Sequence, residues 1–192
     1  MKDRMHARTS DAGDNHRVLR LTIIGAVFMV LFGSALHFFY GWSSQNALVG
    51  LFAPVNESIW EHAKLVFLPP LLWYGFTSLS AGRGRSHELV GASAVALWFM
   101  PLFQIAFYYV YVAVAHRDVF VMDLVDFTLA VVLGQVLFYR LATHLHCTRA
   151  GRIAAVLSIV ALAGIFVVFT VRPPHIPLFV DSRNGTYGIP SR

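Results

Sequence analysis

Ile153-Ala154-Ala155-Val156-Leu157-Ser158-Ile159-Val160-Ala161-Leu162-Ala163-Gly164-Ile165-Phe166-Val167-Val168-Phe169-Thr170-Val171 is a run of 19 residues with no charged side chain, bounded by Arg152 and Arg172. A helix needs about 20 mostly apolar residues to cross the hydrocarbon of a bilayer, so this run has the length and character of a transmembrane helix. Four further stretches read the same way: about Leu19 to Tyr40, Ile59 to Leu79, Leu89 to Ala115 and Val119 to Leu141. Inside a bilayer each backbone polar group must be bonded within its own segment, which makes these helices rather than strands. The expected fold is all-α, an integral membrane bundle of about five transmembrane helices. Pro69 and Pro70 interrupt the second stretch. Each lacks an N–H and its ring clashes one turn back, so a kink is expected there.

Composition points the same way. Hydrophobic residues make up 57% of 192 and charged residues 13%, with a mean hydropathy of +0.62. Soluble domains are about 45–50% apolar and about 25% charged. The formal charge of +5 does not imply nucleic acid, because the basic residues are divided among short segments between apolar runs and form no long basic face. Lys2, Arg4, Arg8, Arg17 and Arg20 lie before or at the start of the first stretch, Arg83 and Arg85 lie between the second and third, and Arg140, Arg149 and Arg152 cluster around the junction of the fourth and fifth. Lysine and arginine concentrate on the cytoplasmic side, which places the amino terminus inside and the carboxyl terminus outside. The expected organisation is a disordered basic cytoplasmic leader at 1–17, a five-helix transmembrane domain at 18–172, and an extracytoplasmic tail at 173–192 packing on the outer face. Gly33-Ser34-Ala35 is small enough for signal processing, but the apolar run continues through Leu36, Phe38 and Phe39 and reads as a retained helix.

Ionisable groups inside a membrane are costly and are functional candidates for that reason. The topology gathers them near one depth, towards the outer leaflet. His37 lies near the outer end of the first helix; Glu57, Glu61, His62 and Lys64 occupy the outer start of the second; Asp123 and Asp126 lie just inside the fourth. Glu57, Glu61 and Lys64 follow an i, i+4, i+7 pattern and would share one helical stripe. Asp123 and Asp126, three apart, also share a face. Glu61 and His62 are neighbours and point about 100° apart, so they cannot aim equally at one centre. A purely structural account stands beside the functional one. Ser58 and Glu61 form a capping box, acidic groups suit a helix start, and Glu61 and Lys64 can pair within the helix. The sequence holds a single cysteine, Cys147, which closes a His144-x-His146-Cys147 cluster read as a polar connector rather than a metal site.

His37-Phe38-Phe39-Tyr40-Gly41-Trp42, together with Pro54-Val55-Asn56-Glu57-Ser58-Ile59-Trp60-Glu61-His62-Ala63-Lys64, resembles a family of small polytopic bacterial membrane proteins of unknown function that carry the Pro-Val-Asn-Glu-Ser-x-Trp-Glu-His motif. The tail block Pro173 to Phe179 and Asn184-Gly185-Thr186-Tyr187-Gly188 is similar to the end of the same family. The resemblance implies residence in a bacterial inner or plasma membrane and assigns no activity to any residue.

The reading that follows is a multi-pass membrane protein with an outward-facing polar pocket for a cation or a small polar or lipid-like ligand. His37, Tyr40, Asn56, Trp60 and Lys64 are the candidate ligand-binding residues. His62, Asp123 and Asp126 are the candidate metal ligands, with zinc, iron or manganese favoured over calcium or magnesium by the histidine. Glu57 and Glu61 are the candidate catalytic bases of the alternative, a metal-dependent hydrolase acting on a lipid or headgroup. A membrane scaffold is the other alternative. Membrane lipid is the expected partner, with a homo-oligomer or a second membrane protein also compatible and nucleic acid excluded.

Overall fold

The computed structural model describes the backbone of residues 2–80 and 86–189 and the side chains of residues 13–80 and 87–189. The helices are α1 (Lys2–Trp42), α2 (Ala47–Gly50), α3 (Ile59–His62), α4 (Leu68–Ser80), α5 (Ser86–Ala115), α6 (Phe120–His144) and α7 (Arg149–Val171), with 3-10 turns at Ala63–Val66 and Pro177–Phe179. No strand occurs among the described residues beyond an isolated antiparallel bridge between Val180 and Tyr187. Among the described residues, four helices are long and apolar enough to cross a membrane: Gly13–Trp42 within α1, His87–Ala115 within α5, and all of α6 and α7.

The second apolar stretch departs from expectation. Instead of one kinked helix it forms α3, a 3-10 turn and α4 in succession. Pro69 and Pro70 are not at a bend inside a helix; they lie in the first turn of α4, where a proline has no intrahelical hydrogen bond to remove. The chain therefore breaks before them. With 13 residues, α4 is about 20 Å long and falls short of a bilayer's roughly 30 Å hydrocarbon thickness. Helix α1 extends from Lys2 to Trp42. Once an apolar segment has nucleated a helix, each added residue gains a hydrogen bond, and no proline precedes Pro54. Arg83 and Arg85, and the side chains of Lys2, Arg4 and Arg8, lie outside the described residues.

Helix order follows from the packing. Helix α5 lies against α6, α7 and α4, while α1 lies against α6 and α4, so α1, α6, α5 and α4 close a ring, and α7 packs on α5. The 3-10 turn at Ala63–Val66 touches α1, α5 and α6 together, and all four of its residues are buried. Irregular backbone at membrane depth is tolerated when protein surrounds it in this way. Gly33 permits the close approach: a Cβ there would stand 2.8 Å from the Phe127 ring and 3.0 Å from the Leu65 carbonyl oxygen. Midway along the ring, Tyr74 Oη donates to Gln135 Oε1 at 2.9 Å and Gln135 Nε2 donates to the Thr22 carbonyl at 2.8 Å, tying α4, α6 and α1 by satisfied buried polar groups.

Candidate functional site

Local chemistry in the stretch Pro54–Lys64 separates its two glutamates. Asn56 Oδ1 accepts the Ser58 N–H at 2.9 Å, and Ser58 Oγ accepts the Glu61 N–H at 3.3 Å. The helix thus starts at Ile59, leaving Glu57 in the preceding loop. Glu57 and Glu61 are not on one helical stripe, contrary to the periodic reading, because the first of them is not in the helix. The capping box is half formed for the same reason: the Ser58 N–H is already taken by Asn56, and the Glu61 carboxylate turns elsewhere.

Glu61 turns into the protein interior. Its Oε2 accepts from Lys64 Nζ at 2.6 Å and from the Val55 N–H at 3.0 Å, while Oε1 accepts from Thr170 Oγ1 at 3.1 Å. Lys64 Nζ also donates to the carbonyls of Gly50 at 2.9 Å and Ala53 at 3.3 Å, so all three ammonium protons have acceptors. Both side chains are 2% exposed. The pair joins the 47–55 segment, α3 and α7, and neither residue lines the cavity described next.

That cavity, of about 380 Å³, opens at one end of the α1, α5 and α6 junction. His37 of α1, Glu57, His62 of α3, and Asp123 and Asp126 of α6 all line it, with Gln104 and Tyr108 of α5 and with Ser182 and Arg183 of the tail. Three ligand atoms converge there. His37 Nε2 and His62 Nε2 are 3.2 Å apart, and Glu57 Oε2 lies 3.6 Å from the first and 3.4 Å from the second. His62 Nδ1 sits 2.9 Å from the Ser58 carbonyl oxygen. A carbonyl can only accept, so Nδ1 carries a proton and Nε2 is the nitrogen that faces the cluster. Glu57 Oε1 pairs with Arg183 at 3.2 Å. Hydrogen bonds from His37 and then His62 hold the Glu57 carboxyl well below the usual carboxylate range, which keeps it ionised.

The remaining candidates fall into other surroundings. Tyr111 Oη donates to Asp118 Oδ1 at 2.8 Å and also contacts Asp123 Oδ1, which fixes Asp123 against the α5–α6 connection. Asp126 is 1% exposed, and its Oδ1 has no hydrogen-bond partner. Trp60 packs its ring on Phe166, Phe169 and Phe179. Tyr40 is buried and stands beside Gly50. Asn56 Nδ2 donates to the Gly188 carbonyl at 2.9 Å and so straps the tail to the loop. Among the described residues, the histidine, cysteine and carboxylate atoms that come together closely enough for a metal are those of His37, Glu57 and His62. His144 instead has Nδ1 3.0 Å from the Arg140 carbonyl oxygen.

Arg183 and Ser182 also belong to the site, although the sequence does not mark them. Both are brought in by the tail, where Ser182 Oγ donates to the Glu57 carbonyl at 3.3 Å. Nothing in their local sequence marks them, since their role depends on where a distant segment lands.

Residues 13–189 match the sequence profile of DUF6512, a family of unknown function. The chain belongs to that family. The match covers every helix segment that could cross a membrane and both halves of the cavity, and it brings no activity with it. No curated protein and no solved structure is significantly similar to the chain. With DUF6512 as its family, the chain's chemistry rests on the geometry of its own side chains.

Proposed function

We propose that this member of DUF6512 is a multi-pass protein of the bacterial cell membrane that binds a divalent transition metal on His37, Glu57 and His62 in a pocket facing outward. The observation that carries the reading is the triangle of two imidazole nitrogens and one carboxylate oxygen with edges of 3.2, 3.4 and 3.6 Å. Ligand bonds of about 2.0–2.1 Å around a tetrahedral ion put donor atoms roughly 3.3 Å apart, so this triangle matches one face of such a site. Two histidines and a carboxylate suit zinc, or iron in the open facial arrangement. The fourth position would lie towards the cavity. This differs from the ligand set expected from sequence, in which Asp123 and Asp126 joined His62.

In this reading α3, the 3-10 turn and α4 together make the fifth crossing, the amino terminus is cytoplasmic, and the tail lies outside over the pocket. Arginines flanking α1 and the α6–α7 connection support that orientation. A second reading, a hydrolase acting on a lipid or its headgroup, is favoured by the carboxylates on the facing wall. A bound metal would lower the pKa of its water, and Asp123, held by Tyr111, would receive the proton.

The test is elemental mass spectrometry of protein purified without added metal or chelator. Near-stoichiometric zinc, iron or manganese is expected in the wild type, with loss in Glu57→Gln and His62→Ala and retention in Asp123→Asn. Folded wild-type protein that neither carries nor takes up any of these ions would sink the metal reading. Headgroup release from lipid nanodiscs that disappears in Asp123→Asn with the metal still bound would establish the hydrolase.

A further inference from the structure

Two acceptors in the cavity wall have no donor among the described residues. Asp126 is 1% exposed and Gln104 is 4% exposed; both line the cavity, and Asp126 Oδ1 and Gln104 Oε1 have no hydrogen-bond partner among the described residues. Burying an acceptor without a donor is costly, and more so when it is a carboxylate. None of the ion pairs among the described residues reaches Asp126: Lys64 is taken by Glu61 and Arg183 by Glu57. Glu57, Asp118 and Asp123 line the same space. The wall thus carries several acceptors, and no cationic side chain among the described residues pairs with Asp126.

The mouth has a different character. Phe38, Phe120 and Leu124 line the cavity and are 55%, 80% and 51% exposed. They stand on α1 and α6, two helices that pack side by side and are long enough to span a membrane. Exposed apolar side chains on such helices face acyl chains rather than water. A ligand that satisfies both ends of the cavity has an apolar chain at the mouth and a cationic donor at the floor.

We propose that the cavity takes a membrane amphiphile whose headgroup carries a primary ammonium, received by Asp126 and Gln104, with its chain leaving between α1 and α6 past Phe38, Phe120 and Leu124. A primary ammonium brings three N–H donors, enough for both orphaned acceptors and a third contact. A quaternary ammonium brings the same charge with no N–H at all. The inference deepens the ligand-pocket reading given above and rests on it, but it does not depend on the metal.

The experiment is competition against a fluorescent fatty amine on the full chain in a neutral maltoside detergent, with zinc content measured on the same samples. Dodecylammonium is expected to compete roughly tenfold or more better than dodecyltrimethylammonium or dodecanol, in line with hydrogen bonds made to a charged group. Asp126→Asn and Gln104→Leu should each abolish that preference with the zinc content unchanged. If Asp126→Asn aggregates, Gln104→Leu carries the test, because it removes only a neutral acceptor. Equal competition by the ammonium and trimethylammonium probes, or a preference that survives both substitutions, would overturn the proposal. Amine preference in protein that binds no zinc, iron or manganese would remove the metal reading and leave this subsite standing.

Discussion

Glu57 and Glu61 carry the same functional group within one short motif, and their partners give them different work. Glu57 is held by two histidines and an arginine at the edge of a cavity. Glu61 is enclosed with Lys64, and each is 2% exposed in its side chain. A buried pair of this kind contributes little over an apolar replacement, but removing one partner strands the other charge at a cost of about 3–5 kcal/mol. Lys64→Met is therefore expected to lower thermal stability in detergent by that order, and Glu61→Gln with Lys64→Met to recover much of it. Metal content should be the same in the double variant as in the wild type. A loss of metal in that folded variant would show that Glu61 or Lys64 serves the site directly.

Elements position these residues through their ends more than through their faces. Helix α3 begins at Ile59 because Asn56 takes the Ser58 N–H before it and Ser58 caps the Glu61 N–H of its first turn, and α4 begins where two prolines can be accommodated. Between them the buried 3-10 turn brings His62 and Lys64 to opposite purposes. The tail closes the arrangement. Gly188 has φ of +64°, and a Cβ there would lie 3.1 Å from Pro173 and 3.2 Å from the Thr170 carbonyl oxygen. A side chain in the left-handed region with that crowding costs about 1–3 kcal/mol. Gly188→Ala should weaken the Asn56 strap, reduce stability by that amount, and raise proteolytic cleavage after Pro173. Cleavage and stability equal to wild type would mean that the tail is held without Gly188.

At the scale of the molecule, the polar cavity and the tail share one end of the bundle, while the α6–α7 connection lies at the other. The orientation proposed from the arginines puts the first outside and the second inside. Cys147, in the α6–α7 connection, should react with a membrane-impermeant maleimide only after cells are permeabilised. Ser182→Cys in a Cys147→Ser background should react in intact cells. The reverse pattern would invert the topology and turn the pocket towards the cytoplasm.

The sequence by itself determined the membrane-compatible helical character and the stretch in which candidate chemistry sits, because length and hydrophobicity are properties of a segment and need no neighbour. Four of the five apolar runs correspond to helices able to span a membrane. The fifth, over 59–79, has the hydropathy of a helix of the same kind, because hydropathy does not register whether backbone bonds continue through a proline pair; the observed break appears when buried contacts with α1, α5 and α6 cover the irregular turn. Likewise His37, Glu57, His62, Asp123 and Asp126 were legible as costly polar residues at one depth. That they line one cavity was decided by helix order around the ring, which no periodicity within a single helix contains. Their separation from Glu61 and Lys64 came from where α3 starts, a balance of local caps. The contribution of Arg183 was invisible until the tail had landed on Glu57, because a contact between distant segments is set by the packing of everything between them.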